Sequence, residues 1–257
     1  MPNLGEQNMN EQIAAPQSDV LETPQMGMVG RFLAVFTDPR KAFTSVRKNH
    51  EWIIVLVLAA AVSIGSYQFT KPIIRKDVIA QLEEQLKSNP NVSAERRQEI
   101  MDTVAARFDN PWLQFLGPVW ILVVFAVVAG ILLFLGNILM GGQTNFLTVL
   151  NMYALTWLVV IPETIVKVPL IISKSSTKVE TSLALLLSAE NSNKFLQTLL
   201  GKFDLFGLWQ LALVMLGLSV LCRTSFGKSA AAVGAAWFIL VLIQAGLASI
   251  GLGFSGA

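Results

Sequence analysis

Two long apolar stretches lie almost end to end in this chain: WLQFLGPVWILVVFAVVAGILLFLGNILM at residues 112–140 and FLTVLNMYALTWLVVIPETIVKVPLII at residues 146–172. Each stretch is longer than the about 20 residues that a helix needs to cross the hydrocarbon core of a bilayer. Only five residues, GGQTN, separate them. The sequence therefore predicts two transmembrane helices joined in a tight hairpin.

Three more uncharged stretches of similar character flank this hairpin, at about residues 52–70, 205–222 and 229–250. Of the whole chain, 53% is hydrophobic and only 14% is charged, whereas soluble domains average about 25% charged residues. The mean hydropathy is +0.58. We therefore expect an all-α, polytopic integral membrane protein with five transmembrane helices in a membrane domain that covers residues 52–257.

Two segments outside the predicted spans have a different composition. Residues 1–27 are rich in Gln, Asn, Glu and Pro without apolar periodicity, which predicts a disordered tail. Residues 71–110 carry seven basic and seven acidic side chains, with apolar residues at helical spacing on both sides of Asn89-Pro90-Asn91. This insert is expected to be a charged helical hairpin outside the membrane, with the turn at its tip.

Residues 28–51 lead into the first span and show apolar residues at helical spacing. We expect two short amphipathic helices at the cytoplasmic membrane surface, the second one capped by Asp38 and starting at Pro39. Its polar side carries four basic residues, which are Arg40, Lys41, Arg47 and Lys48. These residues would contact an anionic leaflet. A solvated helix that only leads into the span fits the pattern equally well.

The remaining composition excludes several function classes. A net charge of +2 is too small an excess to indicate nucleic-acid binding. The single cysteine, Cys222, and the single histidine, His50, cannot form a disulfide or a histidine and cysteine metal site. The sequence shows no nucleophile with its base and no glycine-rich phosphate loop. We therefore expect no enzyme, no metal and no cofactor.

Span three contains the sharpest candidate site, formed by Pro162, Glu163 and Lys167. Ionisable residues near the membrane centre raise the free energy of insertion by about 2.5–3.5 kcal/mol each, so their presence indicates a functional or a structural role. Glu163 and Lys167 are four residues apart and lie on one helix face, while Pro162 removes a helical hydrogen bond. One interpretation is a polar site for an ion, a proton or a lipid headgroup. The other is a self-neutralised pair whose lysine reaches the membrane interface.

Three stretches together resemble the Yip family, the five-span membrane proteins named after Ypt/Rab-interacting proteins, in its bacterial form. These stretches are FTDPRKAFTSVRKNHEW at 36–52, GGQTNFLTVLNMYALTWLVVIP at 141–162, and a segment within 181–219 that includes LLGKFDLFGLWQLALVMLGLS. The last one is similar to the family's entry into the fourth span through Asp204, Phe206, Trp209 and Gly217. The charged insert is longer than expected for a compact member.

The resemblance implies five helical spans with a cytoplasmic N-terminus, and hence an extracytoplasmic C-terminus in a bacterial inner membrane. Eukaryotic relatives act with Rab GTPases, a role that does not transfer to a bacterial-type chain. The leading hypothesis is a non-enzymatic scaffold or organising protein that binds membrane lipids and protein partners or further copies of itself. The alternative is a small oligomeric transporter or channel that uses Glu163 and Lys167.

Overall fold

A computed structural model describes residues 26–46, 50–88, 91–110, 112, 116–177, 181–187 and 193–249. In these ranges the regular structure is helical, and the predicted all-α membrane fold is confirmed. Several predicted features lie outside the described residues. These are residues 1–25 of the tail, the basic pair Arg47 and Lys48, the Asn89-Pro90 step and residues 250–257.

The helices are α1 (Met28–Thr37), α2 (Pro39–Thr44), α3 (Glu51–Lys87), α4 (Ala94–Asp109), α5 (Leu116–Phe134), α6 (Phe146–Thr156), α7 (Val160–Lys174), α8 (Lys194–Gly201), α9 (Leu205–Leu221) and α10 (Phe226–Ser249). A π-helical turn, Leu135–Leu139, extends α5, and a 3-10 turn, Trp157–Val159, joins α6 to α7. A second 3-10 turn, Leu183–Leu186, precedes α8.

Four helical segments of the described chain are long and apolar enough to cross a membrane: Glu51–Lys87, Val119–Leu139, Phe146–Lys174 and Phe226–Ser249. The fifth apolar segment, Leu205–Leu221, has 17 residues. Its rise of about 25 Å is less than a hydrocarbon core of about 30 Å. The fifth crossing therefore stays a prediction, although α9 packs between α6 and α10 as a full member of the bundle.

Helix α6 lies at the centre of the bundle, where it contacts α3, α5 and α9. All of its residues from Thr148 to Thr156 are buried. Tyr153 packs edge-on against Phe125 of α5, with 5.2 Å between ring centroids. Asn151 accepts a hydrogen bond of 2.8 Å from the backbone N–H of Trp52, at the start of α3. This contact satisfies a helix-end donor that lacks a partner within α3.

The connection between α5 and α6 is a tight turn, as the sequence predicts. Gly141 has a φ of 75°, a conformation that favours glycine. Asn137 closes the turn, since its side chain donates to the Thr144 carbonyl at 2.9 Å and accepts from the Thr144 amide at 3.0 Å. A Cβ atom on Gly142 would lie 2.6 Å from Cys222 Sγ. The turn therefore packs closely against the end of α9.

Two helical hairpins flank the membrane bundle. The approach hairpin consists of α1 and α2, residues 28–44, which pack against each other and against α9. The outer arm consists of residues 71–87 of α3 together with α4, which packs back along α3. The predicted separate insert differs from the structure in one respect. Helix α3 runs without interruption from the first span into the arm, through Pro72.

Candidate functional site

The approach hairpin lies beside the middle of α9. Phe43 is only 1% exposed, and its ring faces Gly217, where an added Cβ atom would lie 3.4 Å from it. The same Cβ atom would lie 2.5 Å from Met152 Sδ in α6. Phe36 packs edge-on against Trp209, with 5.8 Å between ring centroids. Glycine at position 217 therefore allows α2, α6 and α9 to meet closely.

A buried ion pair joins the approach hairpin to the first span. Arg31 is 2% exposed, and its guanidinium pairs with the carboxylate of Glu51, the first residue of α3. The Nε atom of Arg31 also donates to Ser45 Oγ at 2.8 Å. Sequence analysis missed this pair. The available signal is that Arg31 is the only charged residue in the apolar helix MVGRFLAVFT.

Of the four basic residues predicted to contact lipid, the structure describes two. Arg40 and Lys41 lie at the exposed start of α2, whereas Arg47 and Lys48 fall outside the described residues. Lys41 Nζ lies 2.9 Å from a carboxylate oxygen of Asp38, the cap of α2. The hydrogen bond from Lys41 lowers the pKa of the Asp38 carboxyl. Arg40 and Lys41 therefore share one exposed surface, and their contact with lipid stays a prediction.

The predicted pair in span three forms part of a larger polar cluster. Lys167 Nζ lies 2.7 Å from Glu163 Oε1 and 3.4 Å from Asp204 Oδ1. Asp204 caps α9, because its other carboxylate oxygen accepts from the Phe206 and Gly207 amides at 3.1 Å each. Sequence analysis found the pair of Glu163 and Lys167 but not its third member. The signal was an acidic cap at the start of an apolar run.

The polar cluster connects α7 to the segment before α9. The hydroxyl of Thr181 donates to Asp204, and the backbone N–H of Leu205 donates to the Thr181 carbonyl at 3.4 Å. Pro162 is the third residue of α7, and α7 begins directly after the 3-10 turn Trp157–Val159. A helical break is expected there, because proline has no N–H for the preceding turn. In this arrangement one lysine is held between two carboxylates.

A cavity of about 410 Å³ lies beside the polar cluster, between α5, α6, α9 and α10. Its wall is mostly apolar, and the charged side chains of the wall, Lys202 and Asp204, lie at one end. Asp204 belongs both to this end of the cavity and to the polar cluster. The cavity has no counterpart in the sequence analysis, because its walls come from helices far apart in the chain.

The model of the Yip1 domain matches residues 33–248 of this chain. The chain belongs to the Yip1 domain family. The resemblance to the Yip family is thereby confirmed, together with the assignment as an integral membrane protein, and the bacterial form stays a prediction. No curated protein and no solved structure matches the chain.

In this Yip1-domain chain, the residues that carry the resemblance have identifiable structural roles. Asp204 caps α9 and contacts Lys167, and Gly217 allows the close contact of α9 with α6 and α2. Trp209 packs against Phe36. Three elements therefore meet at α9, which are the approach hairpin, α6, and α7 through Lys167.

Proposed function

We propose that this Yip1-domain protein is a non-enzymatic membrane scaffold that binds a protein partner through its outer arm. The observation that supports this proposal is the incomplete burial of the arm. In the described residues of α4 no side chain is buried, and Val78 on the facing helix is 38% exposed. The two helices cover each other only partly.

The apolar seam between the two arm helices is only half-buried, which limits the stability of the arm. Helices in proteins gain most of their stability from packing of the apolar face. Apolar residues lie on matching faces of the two arm helices: Val78, Leu82, Leu86, Ile100, Val104 and Phe108. A third helix or another protein surface laid along this seam would complete the burial.

The charge of the arm favours a protein partner over a lipid surface. Residues 71–110 contain seven basic and seven acidic side chains. An anionic membrane attracts segments with a clear excess of Lys and Arg, and the arm has no such excess. Interspersed charges of both signs suit the polar rim of a protein interface.

The arm is held at its base, so that it is presented in one orientation. Asp77 accepts hydrogen bonds from the Thr177 amide at 2.6 Å, the Thr177 hydroxyl at 2.7 Å and the Ser176 hydroxyl at 3.1 Å. Arg75 pairs with Asp109 at 2.9 Å across the two arm helices. The end of α7 and the base of the arm are thus connected. In the proposed orientation, the N-terminus is cytoplasmic and the arm lies outside a bacterial inner membrane.

The proposal is tested by extracting the protein with its native membrane patch and determining the mass of the particle. We expect a second protein at a fixed ratio in the wild type and its loss in the Val78→Arg variant. Ala80→Arg is the matched control, because Ala80 is exposed on the same helix but two residues out of phase with the seam. Equal retention in both variants, or particles that contain lipid alone, would contradict the proposal.

A second candidate function is a small oligomeric transporter or channel. One observation favours it, namely that Asp204 links the polar cluster of Glu163 and Lys167 to the cavity. Proton-coupled flux in proteoliposomes that is lost in the Glu163→Gln variant would support this function. Flux equal to that of empty liposomes across a broad panel of ions would exclude it.

A further inference from the structure

We propose that the cavity between α5, α6, α9 and α10 holds one acyl chain of a phospholipid, with the lipid phosphate at Lys202. This inference is independent of the scaffold function, because it concerns the membrane bundle and not the outer arm. It rests on the volume and lining of the cavity, on the position of its charged end, and on the partners that its two charged groups already have.

The size and lining of the cavity suit a lipid chain. Its volume of about 410 Å³ lies within the range of about 300–1,000 Å³ that is typical of ligand sites. Aliphatic side chains from three helices form most of the wall, and they include Val128, Leu132, Val214, Val233 and Leu240. A water-filled site would require more polar partners than this wall supplies.

The charged groups of the cavity lie at one end. Lys202 and Asp204 precede α9, and Gln210 lies in its second turn. Val214 stands ten residues after Asp204, which corresponds to a rise of about 15 Å along the helix. The cavity therefore runs from the polar start of α9 into the apolar bundle. This division matches an amphiphile with one charged end.

An aromatic side chain marks the same end of the cavity. Trp237 of α10 lines the wall and packs edge-on against Phe203, with 5.4 Å between ring centroids. Phe203 lies between Lys202 and Asp204 in the chain, so that Trp237 covers the side of the cavity next to its charged groups.

The two charged groups at this end differ in the number of partners that they already have. The carboxylate of Asp204 already accepts from two amides, from Thr181 and from Lys167. Lys202 is exposed, and no described side chain forms an ion pair with it. The free positive charge favours an anionic headgroup, and lysine is a common phosphate ligand. This asymmetry identifies a phosphate, rather than an ammonium group, as the partner.

The test uses the full chain, stripped of lipid in detergent and then mixed with palmitoyl-oleoyl phosphatidylglycerol. Native mass spectrometry should show one retained phospholipid per chain. Lys202→Gln should weaken retention by about tenfold, as expected for the loss of a charge-assisted hydrogen bond. Lys194→Gln is the matched control, because Lys194 is also exposed in this region but does not line the cavity.

A second pair of variants tests where the acyl chain lies. Ala236→Phe, which fills the cavity from α10, should abolish retention, whereas Ala235→Phe on the neighbouring exposed position should leave it unchanged. Equal retention in these two variants would overturn the proposal. So would equal retention of palmitic acid alone, or a mass that corresponds to two copies of the chain and no lipid.

The proposal stays testable even if Ala236→Phe does not fold. A phospholipid with a photoreactive diazirine on its acyl chain can be crosslinked to the wild-type protein, and the labelled residues can be mapped. Labels on wall residues such as Val214 and Val233 would support the site. Labels confined to outward-facing residues such as Phe238 and Ile239 would overturn it.

Discussion

The approach hairpin and the outer arm are both pairs of amphipathic helices, yet their apolar faces are buried to very different extents. In the approach hairpin, Ala42 and Phe43 are 0% and 1% exposed. In α4 of the outer arm, no described residue is buried. The difference lies in what each hairpin packs against, since α2 contacts α9 in the bundle whereas α4 contacts α3. An amphipathic pattern therefore predicts a helix without specifying which surface covers its apolar face.

The largest expected difference between the two hairpins is the loss of stability when one aromatic residue in each is replaced by alanine. We expect Phe43→Ala to destabilise the protein by about 3–5 kcal/mol, because it leaves a cavity between α2, α6 and α9. Phe108→Ala in the half-buried seam of the arm should have a clearly smaller effect. Thermal unfolding in lipid nanodiscs measures both. Equal losses would show that the arm is packed as tightly as the approach hairpin.

Each hairpin has an arginine that forms an ion pair between two helices, and these two pairs differ in exposure. Arg31→Gln should destabilise the protein by about 3 kcal/mol, because it breaks an ion pair whose arginine is 2% exposed. Arg75→Gln should cost at most about 1 kcal/mol, since Arg75 and Asp109 are 41% and 61% exposed.

Added salt separates the two pairs further. It should weaken the exposed pair in the arm and leave the buried pair almost unchanged, because counterions screen exposed charges more effectively. The measurement is the change in unfolding midpoint of each variant relative to wild type, at low and high salt. A salt-sensitive effect of Arg31→Gln would contradict the buried environment of this pair.

These contrasts show which parts of the structure follow from sequence. Long uncharged stretches predicted the membrane helices because hydrophobic length alone sets a crossing. The continuous helix through Pro72 was not predicted, since a proline in a polar segment normally marks an end. The docking of Phe43 at Gly217 was also not predicted, because it joins residues 174 positions apart. Local periodicity contains no information on such contacts.

The candidate site shows the same limit. Glu163 and Lys167 are one helical turn apart, so that their pairing follows from spacing alone. Asp204 joins them only through the packing of α7 beside the start of α9. The pair was therefore predictable, and the cluster was not.

The base of the outer arm should respond to acid. The backbone N–H and hydroxyl of Thr177 lower the pKa of the Asp77 carboxyl. A lowered folded-state pKa means that the contact stabilises the protein above the ordinary aspartate pKa of about 3.9 and is lost as the pH falls through the lower folded value.

We therefore expect Asp77→Asn to lower the unfolding midpoint by about 2–4 °C at neutral pH, as for a loss of about 1 kcal/mol in a chain of this size. The difference from wild type should shrink as the pH falls below about 4. Unfolding scans at several pH values provide the measurement. A difference that stays constant down to the lowest pH would show that the Asp77 charge does not anchor the arm.

The smallest expected effect compares the two helix caps, which are chemically similar. Asp38 accepts from the Lys41 amide at 3.3 Å at the start of α2, and Ser93 accepts from the Arg96 amide at 3.2 Å at the start of α4. Replacement of either cap by alanine should cost about 1 kcal/mol of local helix stability. Asp38→Ser keeps a capping oxygen without the charge, so it separates the cap from the ion pair with Lys41.

The two caps should nevertheless differ in where their loss is detected. Because α2 is packed into the bundle, Asp38→Ala should lower the unfolding midpoint of the whole protein. Because α4 packs against α3 and has no buried residue, Ser93→Ala should increase amide hydrogen exchange in α4 and leave the midpoint almost unchanged. A lower midpoint for Ser93→Ala would mean that the arm unfolds together with the bundle. The comparison thus measures how independent the outer arm is from the membrane domain that holds it.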